Sequence, residues 1–139
     1  MKAKPARYVL DSFALLAHLQ AEQGGARVQA VLAQASKGQA AVFLSIVNYG
    51  ESIYITEREH GLTAAQNLIA AVDQMPIAVV EADRKLTFAA AHLKAHYAIA
   101  YADAFALALA QERQATLLTG DPEFQTVQHL ATIEWLPQP

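Results

Sequence analysis

Apolar residues along the chain fall into short unbroken runs separated by stretches with helical spacing. Arg7-Tyr8-Val9-Leu10, Ala41-Val42-Phe43-Leu44 and Ile77-Ala78-Val79-Val80 read as buried strands. Thr116-Leu117-Leu118-Thr119 is a fourth, and Thr132-Ile133-Glu134-Trp135-Leu136 a last one, stopped by Pro137 and Pro139. Helical periodicity fills the intervals: residues 13–19, 26–39 after the Gly24-Gly25 break, 46–60 with Gly61 as stop, 63–75 ended by Pro76, and 82–96. A short helix turns out of Gly120-Asp121-Pro122-Glu123-Phe124. This alternation predicts an α/β three-layer sandwich, a mostly parallel central sheet of about five strands flanked by helices. No repeat, linker or low-complexity tract divides residues 1–139, so one domain is expected.

Residues 97–110 stand apart. Alanine alternates there with large apolar residues, which predicts a helix apolar on every side and therefore buried, with Asp103 in its middle. Its helical neighbours are Ile99, Ala100, Ala106 and Leu107, so no local Lys or Arg neutralises it. A buried charge costs on the order of several kcal/mol unless it is paired or binds a metal. Asp11 and Asp121 each follow a strand directly, at the edge of a parallel sheet where ligands bind. Each also reads as a helix N-cap, Asp121 with Pro122 at the first helical position. At Asp11-Ser12 two good caps are adjacent, which frees one for another purpose. Glu51 lies one turn from Val47, Tyr54 and Ile55, on a partly apolar stripe; a plain surface Glu is the alternative. Should these four acids converge, like charges a few Å apart could not all ionise unaided. Mg²⁺ or Mn²⁺, which prefer oxygen ligands, would resolve that.

Composition sharpens this in three ways. The chain is 54% hydrophobic and 17% charged, more apolar surface than a small sphere hides, which suggests a homodimer patch on the amphipathic helices between residues 46 and 75. The formal net charge of −3 requires any nucleic acid to be held by a local basic patch or through metal ions. Arg84, Lys85, Lys94 and Arg113 are the candidates, with a solvated face as their alternative. The absence of cysteine excludes disulfide scaffolds and thiolate metal sites and suits a reducing cytoplasm. Met1-Lys2-Ala3-Lys4-Pro5-Ala6-Arg7 is basic but leads into no long apolar region, and no run reaches membrane-spanning length, so a soluble cytoplasmic protein is expected. His92 and His96 have the spacing of a zinc helix, but the metalloprotease Glu is missing and Lys94 between them repels a cation. Tyr49, Tyr54, Tyr97, Tyr101 and Phe105 could stack bases; beside apolar residues at helical spacing they read as core or interface.

Four segments, in order, resemble one known family: Tyr8-Val9-Leu10-Asp11-Ser12-Phe13-Ala14-Leu15-Leu16-Ala17, Asn48-Tyr49-Gly50-Glu51, Tyr101-Ala102-Asp103-Ala104-Phe105-Ala106-Leu107-Ala108 and Leu117-Leu118-Thr119-Gly120-Asp121-Pro122-Glu123-Phe124. They are similar to the motifs of the PIN domain, and within it of the VapC-like toxins of bacterial toxin–antitoxin pairs. The resemblance spans nearly the whole chain. It implies a metal-dependent endoribonuclease with Asp11, Glu51, Asp103 and Asp121 as the acidic quartet, and with Ser12 and Thr119 in supporting roles. Phe13 departs from the small or hydroxyl residue often found there, which bears on local packing. The resemblance also implies a homodimer and a small inhibitory antitoxin. A cation held by the quartet would activate a water for phosphodiester hydrolysis. That chemistry needs no ribose 2′-hydroxyl, so the assignment to RNA rests on the resemblance alone. Two other classes compete. Phosphoryl-accepting α/β domains want paired acids after the first strand and a late Lys, or Asp-x-Asp, and this chain has neither. A catalytically silent scaffold would have no need to bury unpaired carboxylates.

Overall fold

Strands β1 (Ala6–Leu10), β2 (Ala40–Ser45), β3 (Ala78–Val80), β4 (Thr116–Thr119) and β5 (Ile133–Trp135) lie side by side in the order β3-β2-β1-β4-β5. All four pairings are parallel, with Leu10 opposite Leu44 on one side and Leu118 on the other. This computed structural model describes residues 4–137, so Met1, Lys2 and Ala3 of the basic start, and Pro139, lie outside the described residues.

Successive side chains of a strand point to opposite faces, and the two cores follow that alternation. Val9, Leu117 and the partly buried Phe43 enter one core, packed under α5 (Arg84–His96) and α6 (Tyr101–Arg113). Leu10, Val42, Leu44 and Leu118 enter the other, with α1 (Ser12–Leu19), α2 (Gly25–Ser36) and α4 (Leu62–Asp73). Helices thus cover both faces, which is why the strands read as continuous apolar runs. The α3 helix (Ile46–His60) follows β2 and touches α1, α4 and α6, joining the two layers. At the Gly24-Gly25 break, a side chain on Gly25 would come within 2.5 Å of the Ala17 carbonyl oxygen, so glycine lets α2 approach the end of α1. No helix among the described residues is long and apolar enough to cross a membrane.

The expected α/β sandwich around a mostly parallel sheet is observed, each of the four pairings being parallel. One detail differs from the pattern read along the sequence. The helix expected over residues 97–110 begins only at Tyr101: Tyr97 and Ala100 are extended, and Ala98, Ala100 and Tyr101 are exposed. Asp103 accordingly lies in the first turn of α6 rather than at mid-helix. Buried residues then run without interruption from Asp103 to Ala110. No Gly or Pro separates His96 from Tyr101, so the break lacks the usual punctuation; two side-chain bonds accompany it. Lys94 Nζ donates to the Ile99 carbonyl at 2.8 Å, and the Glu123 carboxylate accepts from the Ala100 N–H.

Candidate active site

In the order β3-β2-β1-β4-β5 the chain leaves β1 toward β2 on one side and later returns to β4 on the other. The crevice beyond the carboxyl ends of β1 and β4 is therefore a topological switch point, the place where open α/β sheets bind ligands. Asp11 follows β1 directly, and Gly120-Asp121 follow β4. The α6 N-terminus delivers Asp103 to the same edge, and α3 delivers Glu51 from β2. The charges of Asp121 and Glu51 reach Asp11, and those of Asp11, Asp121 and Glu51 reach Asp103.

Asp11 caps α1 with one oxygen and turns the other toward β4. Its Oδ1 accepts from the Ala14 N–H at 2.8 Å, as an N-cap should, while Oδ2 accepts from Thr119 Oγ1 on β4. The adjacent cap is thereby free: Ser12 Oγ donates to Glu51 and also lies 3.3 Å from the Asn48 carbonyl. Asp121 caps a short 3₁₀ turn (Pro122–Val127), accepting from the Glu123 N–H at 2.9 Å, and its own N–H donates to Thr119 Oγ1 at 3.0 Å. Thr119 is thus the hydroxyl joining two acids. Phe13, the departure from the family pattern, lays its ring where a side chain at Gly120 would be, so the missing Cβ makes room for it.

One acid was not singled out from the sequence. Glu123 brings a carboxylate oxygen within 4.8 Å of one from Asp103 and one from Asp121. In the sequence it is a polar residue of a capping turn; only its spacing two after Asp121, on the same tight turn, hints that both side chains face one way.

Burial dominates the electrostatics. Asp11 is 1% exposed and its carboxyl is pushed up to about 7, because desolvation outweighs the hydrogen bonds from Thr119 and Ala14, with the charges of Asp121 and Glu51 adding to the rise. Asp103, 7% exposed, rises to about 8 through burial first and then the charges of Asp11, Asp121, Glu123 and Glu51. Among the described residues no Lys or Arg forms an ion pair with any of these acids. An all-oxygen set lacking countercharge fits a hard divalent cation and not a thiophilic one.

The candidate basic residues lie elsewhere or are engaged. Arg113 closes α6 at the end opposite Asp103, stacks on the Phe43 ring and pairs with Glu112. Lys85 lines a surface groove with Leu86, Ala89, Ala108, Gln111 and Glu112, none of the acids among them. Arg84 lies over the Phe88 ring. Lys94, bonded to Ile99, stands at the entry to α6.

Residues 8–130 match the sequence model of the PIN domain. The chain belongs to the PIN-domain family. No curated protein sequence matches this PIN domain. Its fold is similar to that of VapBC2 from Rickettsia felis bound to a promoter DNA fragment, with 16% identity over 94% of this chain and 99% of that one, TM-score 0.74. It is also similar to VapC20 of Mycobacterium tuberculosis, a sarcin-ricin loop cleaving toxin, with 16% identity over 94% and 99% of the two chains, TM-score 0.71. DNA-bound VapBC from Salmonella typhimurium matches with 14% identity over 93% and 97%, TM-score 0.72. At such identities the likeness is one of fold.

Proposed function

We propose that this PIN domain is a divalent-metal-dependent endoribonuclease, the toxin of a toxin–antitoxin pair acting in the cytoplasm. The observation that carries the reading is a group of carboxylates at the sheet's switch point, two of them buried, with which no cationic side chain among the described residues pairs. Asp11, Glu51, Asp103 and Asp121 are the residues proposed to hold Mg²⁺ or Mn²⁺, joined by Glu123. Bound there, the cation would lower the pKa of a water and offset charge building on the phosphate. The chain's own groups prepare that chemistry. Thr119 and the Ala14 N–H fix the two oxygens of Asp11, and Ser12 fixes Glu51. Without a cation, burial and the neighbouring charges raise the carboxyls of Asp11 and Asp103 to about 7 and about 8. Of the four basic candidates, Lys94 is favoured as a phosphate contact by its position at the α6 entry.

RNA as substrate is supported by the fold's likeness to a sarcin-ricin loop cleaving toxin, and a protein antitoxin by its likeness to VapBC assemblies. Attack of water in line with the departing 3′-oxygen would leave a 5′-phosphate and a 3′-hydroxyl. Incubating purified protein with single-stranded and structured RNA in Mg²⁺, Mn²⁺ or EDTA is expected to give EDTA-sensitive internal cuts with those ends, lost on Asp11→Ala or Asp121→Ala. Cutting that persists in EDTA, or that leaves cyclic phosphates, overturns the reading.

A homodimer through the α3–α4 face belongs to the same proposal. Tyr54 (50% exposed), Leu62 (59%) and Ile69 (36%) leave apolar surface there, on helices that pack closely together. Sedimentation at micromolar concentration is expected to give a dimer; a monomer alone removes this part.

A further inference from the structure

We infer that Asn48 is a positioning residue, the group that sets where Asp103 stands relative to Asp11 and Glu51. The inference rests on the metal-nuclease reading above. Asn48 lies on α3 one turn before Glu51 and is fully buried. Its Nδ2 donates at 3.1 Å to the carbonyl of Ala102, the residue before Asp103. Its own carbonyl lies 3.3 Å from Ser12 Oγ, next to Asp11, and accepts from Ser52 Oγ at 2.9 Å. A single residue thus touches the three elements that carry Asp11, Glu51 and Asp103.

The amide's orientation follows from its partner. Ala102 offers a carbonyl, so the NH₂ must face it; a flipped amide would set oxygen against oxygen. That choice leaves Asn48 Oδ1 buried without a donor. A leucine would fill the space without orphaning a polar atom, so packing does not account for an asparagine here. What the amide does supply is a directional bond to the first turn of α6. Two other bonds hold this entry, from Lys94 to Ile99 and from Glu123 to Ala100, but both come from residues that are not buried and act before the helix begins. Asn48 acts from the interior, on the turn that bears the acid.

The test compares the full chain with Asn48→Leu and, should leucine not fit, Asn48→Ala, at a temperature where circular dichroism shows each folded. Mn²⁺ alone is titrated calorimetrically, and amide hydrogen exchange over residues 101–106 is followed in EDTA. The expected result is a loss of Mn²⁺ affinity of about 10- to 100-fold, the range for groups that orient metal ligands. Exchange over 101–106 should quicken while that of β4 stays as in the wild type. A folded variant with wild-type Mn²⁺ affinity and unchanged exchange overturns the inference and leaves the nuclease reading standing. Failure of both variants to fold also overturns it, marking Asn48 as a requirement of the core. A wild-type protein that binds no Mn²⁺ overturns the metal reading itself.

Discussion

Asp103→Asn is expected to abolish RNA cleavage while leaving the metal-free protein at least as stable as the wild type. The two effects have one cause. Asp103 is buried in the first turn of α6, and its carboxyl makes no hydrogen bond to the described residues. What surrounds it is charge of its own sign, from Asp11, Asp121, Glu123 and Glu51. Asparagine keeps the shape and removes the ionisable group. One pKa unit is about 1.4 kcal/mol, and even about 1 kcal/mol of relief raises Tm by roughly 3 °C in a domain of this length. The cleavage rate should fall by at least about 100-fold, the scale on which loss of a single transition-state charge stabiliser acts. Thermal melts in EDTA and initial rates in Mg²⁺ read the two effects separately. A variant that melts well below the wild type would make Asp103 a structural residue and its conservation of shape irrelevant. Mn²⁺ should raise the Tm of the wild type and hardly that of the variant, since binding to the native state at about 100 times Kd adds about 2.7 kcal/mol.

The metal-free protein is expected to lose stability as pH rises from about 4 to 8, opposite to what ion-paired carboxylates produce. Asp11 and Asp103 have folded-state pKa values of about 7 and about 8, raised from 3.8. Between those limits the native state binds more protons than the unfolded chain, so the unfolding free energy falls with pH. The contribution is complete below about pH 4 and lost once pH passes the folded values. Melts in EDTA at pH 5.5 and pH 8.5 should therefore differ by several degrees in favour of pH 5.5. Saturating Mg²⁺ should narrow or invert the difference, because a cation favours the ionised carboxylates that proton binding opposes. A Tm that is flat or rises with pH in EDTA would mean that the two carboxyls are not held up by their surroundings.

The order of elements and the layer architecture were legible because burial on both faces makes parallel strands continuous apolar runs, and because glycines and proline mark several of the ends. The start of α6 was not. Alanine, isoleucine and tyrosine carry no stop signal, and the segment from Tyr97 to Ala100 is held by side-chain bonds, a local one from Lys94 and a distant one from Glu123. At Asp11 and Asp121 the capping and site readings looked like rivals, yet they are compatible: each side chain caps a helical turn through one oxygen and still lies among the other acids. Glu123 and Asn48 lay inside recognised segments but drew no attention, since what distinguishes them is a distance across the fold. An amide's orphaned oxygen, or three carboxylates meeting, has no signature in spacing.

The central place of β1 has a consequence for the newborn chain. Leu10 pairs with Leu44 early, but its other neighbour, Leu118, comes more than a hundred residues later. Closing so long a loop is entropically tolerable, since each doubling costs only about 0.6 kcal/mol, but it must wait for β4 to be made. Until then Asp11 lacks Thr119 and Asp121, and one side of the sheet is open. No amino-terminal fragment ending before Thr119 assembles the carboxylate group. The full carboxylate group therefore comes together only once Asp121 has been made.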